Sequence, residues 1–413
     1  MNIKKYILMN QNKAVLTFGF DEELNIITDI YEIFNIEYAP YKIKCEYIRN
    51  KNIDRVSFNH WFTGRGIPTY RDDSKEILEQ FDLESTKDLI NKHFALSLSD
   101  QYWIKPFSSS TQWEDINYFE NDYNSIEFAN ATFGENASSS IVGINLSSCS
   151  KFQTPNNTTD GQLKKVWIRI NNKNCLLKAS GSIHNFEPIN EVISSKICEI
   201  LDVPYVPYTL EVIHSKKQDT LVSICECAIN KNEEIITAYS ILSEEENLKG
   251  NEEDYNTYLA ILKRHNVPNA EENLQKMFML DFILLNEDRH LNNFGIIRDV
   301  QTLEWKSICP IFDTGRSMNT NVTTSYWNFT EGEVKCFTSN FISSNILPNF
   351  FTICLKQSQL DKLKSLVDIY QELLLKYQEF TNLSKEQIDL LVDGLGQRIS
   401  CFENIMNEKN LIV

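Results

Sequence analysis

The hydrophobic pattern of the chain changes near residue 235, and this change restricts the fold more than any other sequence feature. Before it, short alternating runs predict strands, among them 203–213 and 221–229, and residues 187–201 show the spacing of a helix with one apolar face. After it, the nearly continuous apolar stretch 274–285 and the amphipathic stretch 357–408 predict helices. Strands followed by helices indicate an α+β protein in which sheets and helices form separate layers.

The first third of the chain has a pattern of its own. Residues 14–20 and 41–47 are strand-like, 75–81 is helical, and aromatic residues concentrate between 113 and 123. Such an aromatic patch either packs against a neighbouring domain or belongs to an ordinary core. A length of 413 residues predicts two or three packed units. We place their boundaries at 1–135, 136–230 and 231–413.

Charge and cysteine usage narrow the class of protein. A formal net charge of −17 repels nucleic acid, so we expect no direct nucleic-acid contact. The ten cysteines are scattered and none forms a CxxC pair, which is typical of reduced cysteines in a cytoplasmic protein. The sequence contains no uncharged apolar run long enough to span a bilayer, and its first residues do not resemble a signal peptide, so we expect no membrane association.

The segment 285–297, LNEDRHLNNFGII, contains the densest group of chemically active residues. A buried helix ends there, and a polar loop brings Asp288, His290 and Asn293 within six residues. A second strand-like segment, 308–312, leads directly to Asp313. Phosphoryl transfer requires a carboxylate that orients the acceptor hydroxyl and oxygen ligands for Mg²⁺, and the spacing D-x-x-x-x-N is the one found in kinase catalytic loops. Asp288 is the candidate base, and Asn293 and Asp313 are candidate metal ligands.

Residues upstream agree with this chemistry. Lys178 ends a predicted strand, and Glu191 lies thirteen positions later on the predicted helix, as for a lysine that a helix glutamate holds towards the ATP phosphates. The loop containing Thr158, Thr159 and Gly161 precedes a predicted hairpin and is expected to offer backbone N–H groups to phosphate. No G-x-G-x-x-G motif is present.

Taken together, these motifs resemble the HipA-like serine/threonine kinase family. The resemblance covers about residues 140–405, and its carrying segments include 286–293, 310–313 and the GQLKK sequence at 161–165. It implies an α+β, bilobal, protein-kinase-like fold with a mainly β N-lobe and a helical C-lobe, preceded by a mixed accessory domain. The loop Asp288-Arg-His290 is also similar to that of the phosphoinositide kinases.

The family resemblance further implies specific roles. Asp288 acts as the base, Lys178 and the loop ending at Lys165 hold ATP, and Asn293 and Asp313 hold Mg²⁺. The backbone at Glu226, Cys227 and Ala228 contacts adenine where the two lobes join. Several family members are toxins that phosphorylate a protein of translation and are held by an antitoxin, so the resemblance implies a protein substrate and an antitoxin partner.

Alternatives remain open at this stage. Each residue alone has an ordinary structural explanation, and Lys178 with Glu191 is also compatible with a surface pair of little value. His290 is expected to brace its loop rather than to exchange protons with substrate. The sequence is compatible with a small-molecule or phosphoinositide kinase, or with a non-catalytic pseudokinase that only binds partners.

Overall fold

The computed structural model describes residues 2–145, 147–338 and 340–413. Its strands are β1 (Ile3–Asn10), β2 (Lys13–Asp21), β3 (Ile26–Ile33), β4 (Tyr102–Pro106), β5 (Lys165–Ile170), β6 (Lys173–Ala179), β7 (Tyr208–Ile213), β8 (Thr220–Glu226), β9 (Glu233–Thr237), β10 (Gly295–Asp299), β11 (Trp305–Ile308), β12 (Glu333–Val334) and β13 (Ile342–Ser343). Its helices are α1 (Tyr41–Asn50), α2 (Arg55–Thr63), α3 (Ser74–Phe81), α4 (Lys87–Ile90), α5 (Trp113–Ile116), α6 (Ile126–Phe133), α7 (Ala137–Ser140), α8 (Glu187–Leu201), α9 (Ala238–Leu242), α10 (Asp254–Arg264), α11 (Ala270–Leu284), α12 (Gln357–Lys376) and α13 (Lys385–Glu408).

The N-terminal sheet is antiparallel, with strand order β3-β2-β1-β4. The strand prediction for 14–20 is confirmed by β2, whereas that for 41–47 was wrong, because these residues form α1. The alternation that misled the prediction has a physical cause. Tyr41 and Cys45, one helical turn apart, face the core of the C-terminal helices, and Ile43 faces the core of the N-terminal sheet. A helix that is buried on two sides can thus show the alternation of apolar and polar residues that is typical of a strand.

The middle sheet, with order β5-β6-β8-β7, carries the predicted hairpin and packs against α8. Strands β5 and β6 pair in register from Lys165 opposite Lys178 to Ile170 opposite Lys173. Asn171 and Asn172 form the two-residue turn, with φ angles of 49° and 65°, which asparagine tolerates and a type I′ turn requires. The helix predicted for 187–201 is confirmed, with the same bounds as α8.

The C-terminal part consists of helices around one large core, with the small sheet β11-β10-β9 at its edge. Helix α11 is buried almost all round, as its continuous apolar run predicts. Helices α12 and α13 form an antiparallel pair beside α8 and α11. Within the described ranges, no helix is both long and apolar enough to cross a bilayer.

The predicted α+β fold class is confirmed by antiparallel sheets and many helices. The helices are not confined to the second half, because α1 to α8 all lie before residue 202. The aromatic segment 113–123 packs within its own core and also contacts the middle sheet. Arg169 of β5 donates to the carbonyls of Phe119 and Asn121, both at 2.9 Å. The domain boundaries after residues 135 and 230 stay predictions.

Candidate active site

Lys178 joins three chain segments at the end of β6. Its ammonium nitrogen lies 2.6 Å from Oε1 of Glu191 on α8 and also donates to Oδ1 of Asp313. The second oxygen of Glu191 accepts from both the N–H and the hydroxyl of Thr314, each at 2.9 Å. Lys178 and Glu191 are buried, while the side chain of Asp313 remains 36% exposed. The predicted lysine–glutamate pair is therefore an internal contact of the fold rather than a surface pair.

These charges stabilise one another. Burial alone would lower the pKa of Lys178, but Asp313 and Glu191 outweigh it and hold the pKa above its usual value. Burial would raise the pKa of Asp313, but Lys178 and then Lys165 hold it well below the usual range. At neutral pH the site thus contains an ammonium group facing an ionised carboxylate, which is the charge state that a metal ligand requires.

Asp313 has a left-handed backbone conformation, with φ of 56°. This conformation costs an ordinary residue roughly 1–2 kcal/mol, although aspartate tolerates it better than most. It places Asp313 at a sharp turn after Ile311, which itself bridges to Tyr205 beside the middle sheet. The backbone N–H of Asp313 donates to the Tyr208 hydroxyl at 3.4 Å. The turn directs the carboxylate towards Lys178.

The loop after α11 is organised by the buried carboxylate of Asp281. It accepts from the amide of Asn286 at 2.7 Å and from the guanidinium of Arg289 at 3.0 Å. Asn286 in turn accepts the backbone N–H of Asp288 at 3.1 Å. Asp288 therefore lies on a loop whose shape is set by hydrogen bonds inside the protein, while its own side chain is only partly buried.

The loop of Asp288 and the turn of Asp313 are bonded together on both sides. The N–H of Glu287 donates to the carbonyl of Arg316 at 3.2 Å, and Arg289 donates to the carbonyl of Phe312 at 3.0 Å. The residues flanking Asp288 thus pair with residues flanking Asp313. The two chain segments that the sequence separates by about twenty residues lie side by side.

Asn293 and Asp313 fit a magnesium site. One guanidinium nitrogen of Arg289 donates to the carbonyl of Phe312 and also to that of Asn293, at 2.9 Å. Asn293 therefore lies next to the residue before Asp313. Its amide nitrogen donates to the carbonyl of Asp288 at 2.8 Å, which leaves its amide oxygen available as a ligand. Among the described residues, no three His, Cys, Asp or Glu side chains cluster as a metal site. One carboxylate and one amide oxygen suit Mg²⁺, which keeps water and phosphate oxygens as its other ligands.

The phosphate-loop candidates fall into two groups. Thr158 and Thr159 are buried, and their hydroxyls donate to carbonyls, that of Thr158 to Leu96 at 2.5 Å and that of Thr159 to Pro155 at 3.2 Å. Gly161, with φ of 103°, lies against Lys165, whose ammonium nitrogen occupies the space that a Cβ at Gly161 would need. The structure therefore brings Gly161 and Lys165 towards Lys178, but turns the two threonine hydroxyls into the protein.

Glu226, Cys227 and Ala228 lie where the middle sheet ends, at the last residue of β8 and just after it. Glu226 is exposed and pairs with Lys173 at 2.6 Å, and the N–H of Cys227 donates to the carbonyl of Asn174 at 2.8 Å. Within the described residues, the N–H of Ala228 has no protein acceptor. The backbone N–H of Ala228 is thus available as a donor for the predicted adenine contact.

His290 has the structural place that the sequence predicts. Its Nδ1 accepts the N–H of Asn292 at 3.3 Å, and its carbonyl accepts the N–H of Asn293 at 2.8 Å. Sequence reasoning missed Asn190, whose buried amide donates to the carbonyls of Gly315 at 3.0 Å and Ser317 at 2.9 Å. Its position directly before Glu191, on the helix predicted for 187–201, was the signal in the sequence.

Comparisons with solved structures find proteins of similar fold, of which two are described here. Neither a family model nor a curated protein matches the chain. The crystal structure of the Helicobacter pylori proinflammatory kinase CtkA is 18% identical over 60% of this chain and 94% of that chain, with a TM-score of 0.43. A chain from the Shewanella oneidensis MR-1 complex of HipA, HipB and operator DNA is 11% identical over 99% of this chain and 100% of that chain, with a TM-score of 0.49. One of these two structures contains a HipA protein, the family that the sequence motifs resemble.

Proposed function

We propose that this protein is an ATP- and Mg²⁺-dependent phosphotransferase, and specifically a HipA-like serine/threonine protein kinase. The observation that carries the proposal is the contact of Lys178 with both Glu191 and Asp313, next to the loop of Asp288. A buried ammonium group opposite a metal-binding carboxylate and a second, partly exposed aspartate is the arrangement that phosphoryl transfer needs.

Each residue then has a defined task. Asp288 orients the acceptor hydroxyl and takes its proton as the new O–P bond forms and the bond from the γ-phosphorus to the bridging oxygen breaks, which releases ADP. Lys178 and Lys165 bind phosphate oxygens, and Asn293 and Asp313 hold Mg²⁺, which neutralises phosphate charge when bound. Gly161 lets the loop approach the phosphates, and Ala228 offers its N–H to the adenine base. The turn of Asp313 and the bonds of Arg289 fix these groups before substrate arrives.

The biological setting is proposed from the family resemblance. A HipA-like protein is expected to phosphorylate a protein of translation and to be restrained by an antitoxin in the cytoplasm. One similar structure is described as a toxin–antitoxin complex with operator DNA. The expectation that this chain itself makes no direct contact with nucleic acid gains no support from that comparison.

Transfer of labelled phosphate from ATP tests the proposal. Purified protein with MgATP should label itself or a protein in a bacterial extract on serine or threonine, and Asp288→Ala should lower the rate by at least about 10². Asp368→Ala, an exposed aspartate on α12, is the matched control and should leave the rate unchanged. Equal labelling by Asp288→Ala would refute the mechanism. Label found only in lipid or small molecules would favour the alternative acceptors, and an absence of MgATP binding would favour a pseudokinase.

A further inference from the structure

Lys335 lies beside the proposed base, although it is 47 residues away in sequence. Its ammonium nitrogen is 3.3 Å from Oδ1 of Asp288, and it lies 4.7 Å from the centre of the Phe341 ring. Among the described residues, it is the one cation within 4.0 Å of the Asp288 carboxylate. Both charged side chains are about four-fifths buried, at 19% and 23% exposure, so solvent screens their interaction only in part.

The residues on either side of Lys335 in the chain are buried, so their side chains face the core. Val334 and Cys336, its neighbours, are each 2% exposed and belong to the core of the C-terminal helices. Successive side chains of an extended segment point to opposite sides. Burial of Val334 and Cys336 therefore turns Lys335 out of the core and towards Asp288.

The hairpin that carries Lys335 is fixed to the loop of Asp288. Strands β12 and β13 pair through Val334 opposite Ile342. Gly332, just before β12, packs so closely that a Cβ there would lie 2.6 Å from the side chain of Leu285, the first residue after α11. The hairpin thus rests on the start of the catalytic loop.

Arg398 of α13 ties the same two segments together. It is fully buried, and it donates to the carbonyl of Phe282 at 2.8 Å and to that of Thr330 at 3.1 Å. The first carbonyl lies in the last turn of α11, where helix carbonyls lack intrahelical partners, and the second lies just before the hairpin. Lys335 therefore directly follows a strand whose base is held by Arg398.

Asp288, Glu287 and Glu333 lie close enough for their negative charges to repel one another, and a nearby cation reduces this repulsion. Burial raises the pKa of Glu287, and the charges of Asp288 and Glu333 act in the same direction, against Asn321 and Arg316. An incoming phosphoryl group adds further negative charge at this place. Lysine has three N–H donors, and the contact with Asp288 uses one of them.

We propose that Lys335 is a second cation of the transfer site, which holds the carboxylate of Asp288 in place and donates to the phosphoryl group as it passes to the acceptor. The inference rests on the proposed function and extends it to a residue outside both motifs. Lys178 and Lys165 then bind phosphate from the side of the middle sheet, and Lys335 binds it from the side of the helices.

Steady-state phosphorylation by the full chain tests this role. Lys335→Met should lower kcat about 10²-fold while the KM for ATP changes less than about threefold, because the ATP-binding residues are untouched. Lys335→Arg should recover at least about tenfold of that loss, because arginine keeps the charge and the donors. Lys362→Met, which removes the same charge from the exposed face of α12, should behave as the wild type.

Three outcomes would overturn the proposal. A Lys335→Met enzyme with wild-type kcat would exclude the role of Lys335 while leaving the proposed function intact. Equal losses in the Met and Arg variants, together with a lowered melting temperature in both, would show that the lysine serves only the fold. A wild-type chain that transfers no phosphate from MgATP to itself, protein, lipid or small molecules would refute the proposed function and this inference with it.

Discussion

Replacing Lys178 with methionine should destabilise the fold as well as abolish activity. Methionine fills much of the same volume but leaves Glu191, 3% exposed, with a buried negative charge whose remaining partner is Thr314. Removing one member of a buried ion pair costs about 3–5 kcal/mol. Since Asp313 is more than one-third exposed and regains water, we expect a loss near the lower limit, about 3 kcal/mol.

A double substitution separates this charge effect from lost packing. Glu191→Gln in the Lys178→Met background removes the unpaired charge, while its amide oxygen still accepts from Thr314. We therefore expect the double variant to recover about 1–2 kcal/mol relative to Lys178→Met, a non-additive result. Urea unfolding gives the free energies, with Lys173→Met as the control, because Lys173 and Glu226 form an exposed pair and such pairs contribute little to stability.

Equal stability of Lys178→Met and Lys173→Met would contradict this expectation. So would a double variant whose loss of stability equals the sum of the losses of Lys178→Met and Glu191→Gln. Either result would mean that the charges of Lys178 and Glu191 are not coupled inside the protein.

Three further predictions concern Lys165 and Arg289. Burial, only partly opposed by Asp313, lowers the pKa of Lys165 to about 8. Because Lys165 loses its positive charge between about pH 7 and 9, the affinity for MgATP measured by calorimetry should fall over that range. This fall should be absent in Lys165→Met. Between about 8 and the ordinary value the unfolded chain holds more protons, so the contribution of Lys165 to stability rises with pH over that window. Arg289→Lys cannot bind Asp281, Asn293 and Phe312 at once and should cost about 2 kcal/mol in urea unfolding; a cost below about 0.5 kcal/mol would contradict the bridging role.

The sequence predicted the parts of the site that depend on short spacing. Asp288 and Asn293 share one loop, and Lys178 and Glu191 are joined by a strand and a helix whose periodicity is clear. These intervals translate directly into geometry, and the hairpin and α8 lie where the pattern placed them. The assigned roles of these residues stay proposals.

Long-range features were beyond the reach of the sequence. Lys335 resembles any polar residue between two apolar ones, because nothing local shows that its hairpin rests on Leu285. The same limit explains α1, where burial on two sides of a helix gave the alternation of a strand. The loop with Thr158, Thr159 and Gly161 was predicted to offer backbone N–H groups to phosphate, and this stays a prediction, because the buried hydroxyls of the two threonines bind carbonyls of the protein and do not test it.

The turn at Arg71, before α3, connects the N-terminal region to the loop that we propose for phosphate binding. Arg71 is paired with Asp73 in the interior, at 2.6 Å, and donates to the carbonyls of Thr159 and Lys165, the two ends of the glycine-bearing loop. Those carbonyls have their donor in a segment nearly a hundred residues upstream. A fragment that begins at residue 136 would lose this donor and leave both carbonyls to water, so we expect the region before residue 136 to support the conformation of the glycine-bearing loop.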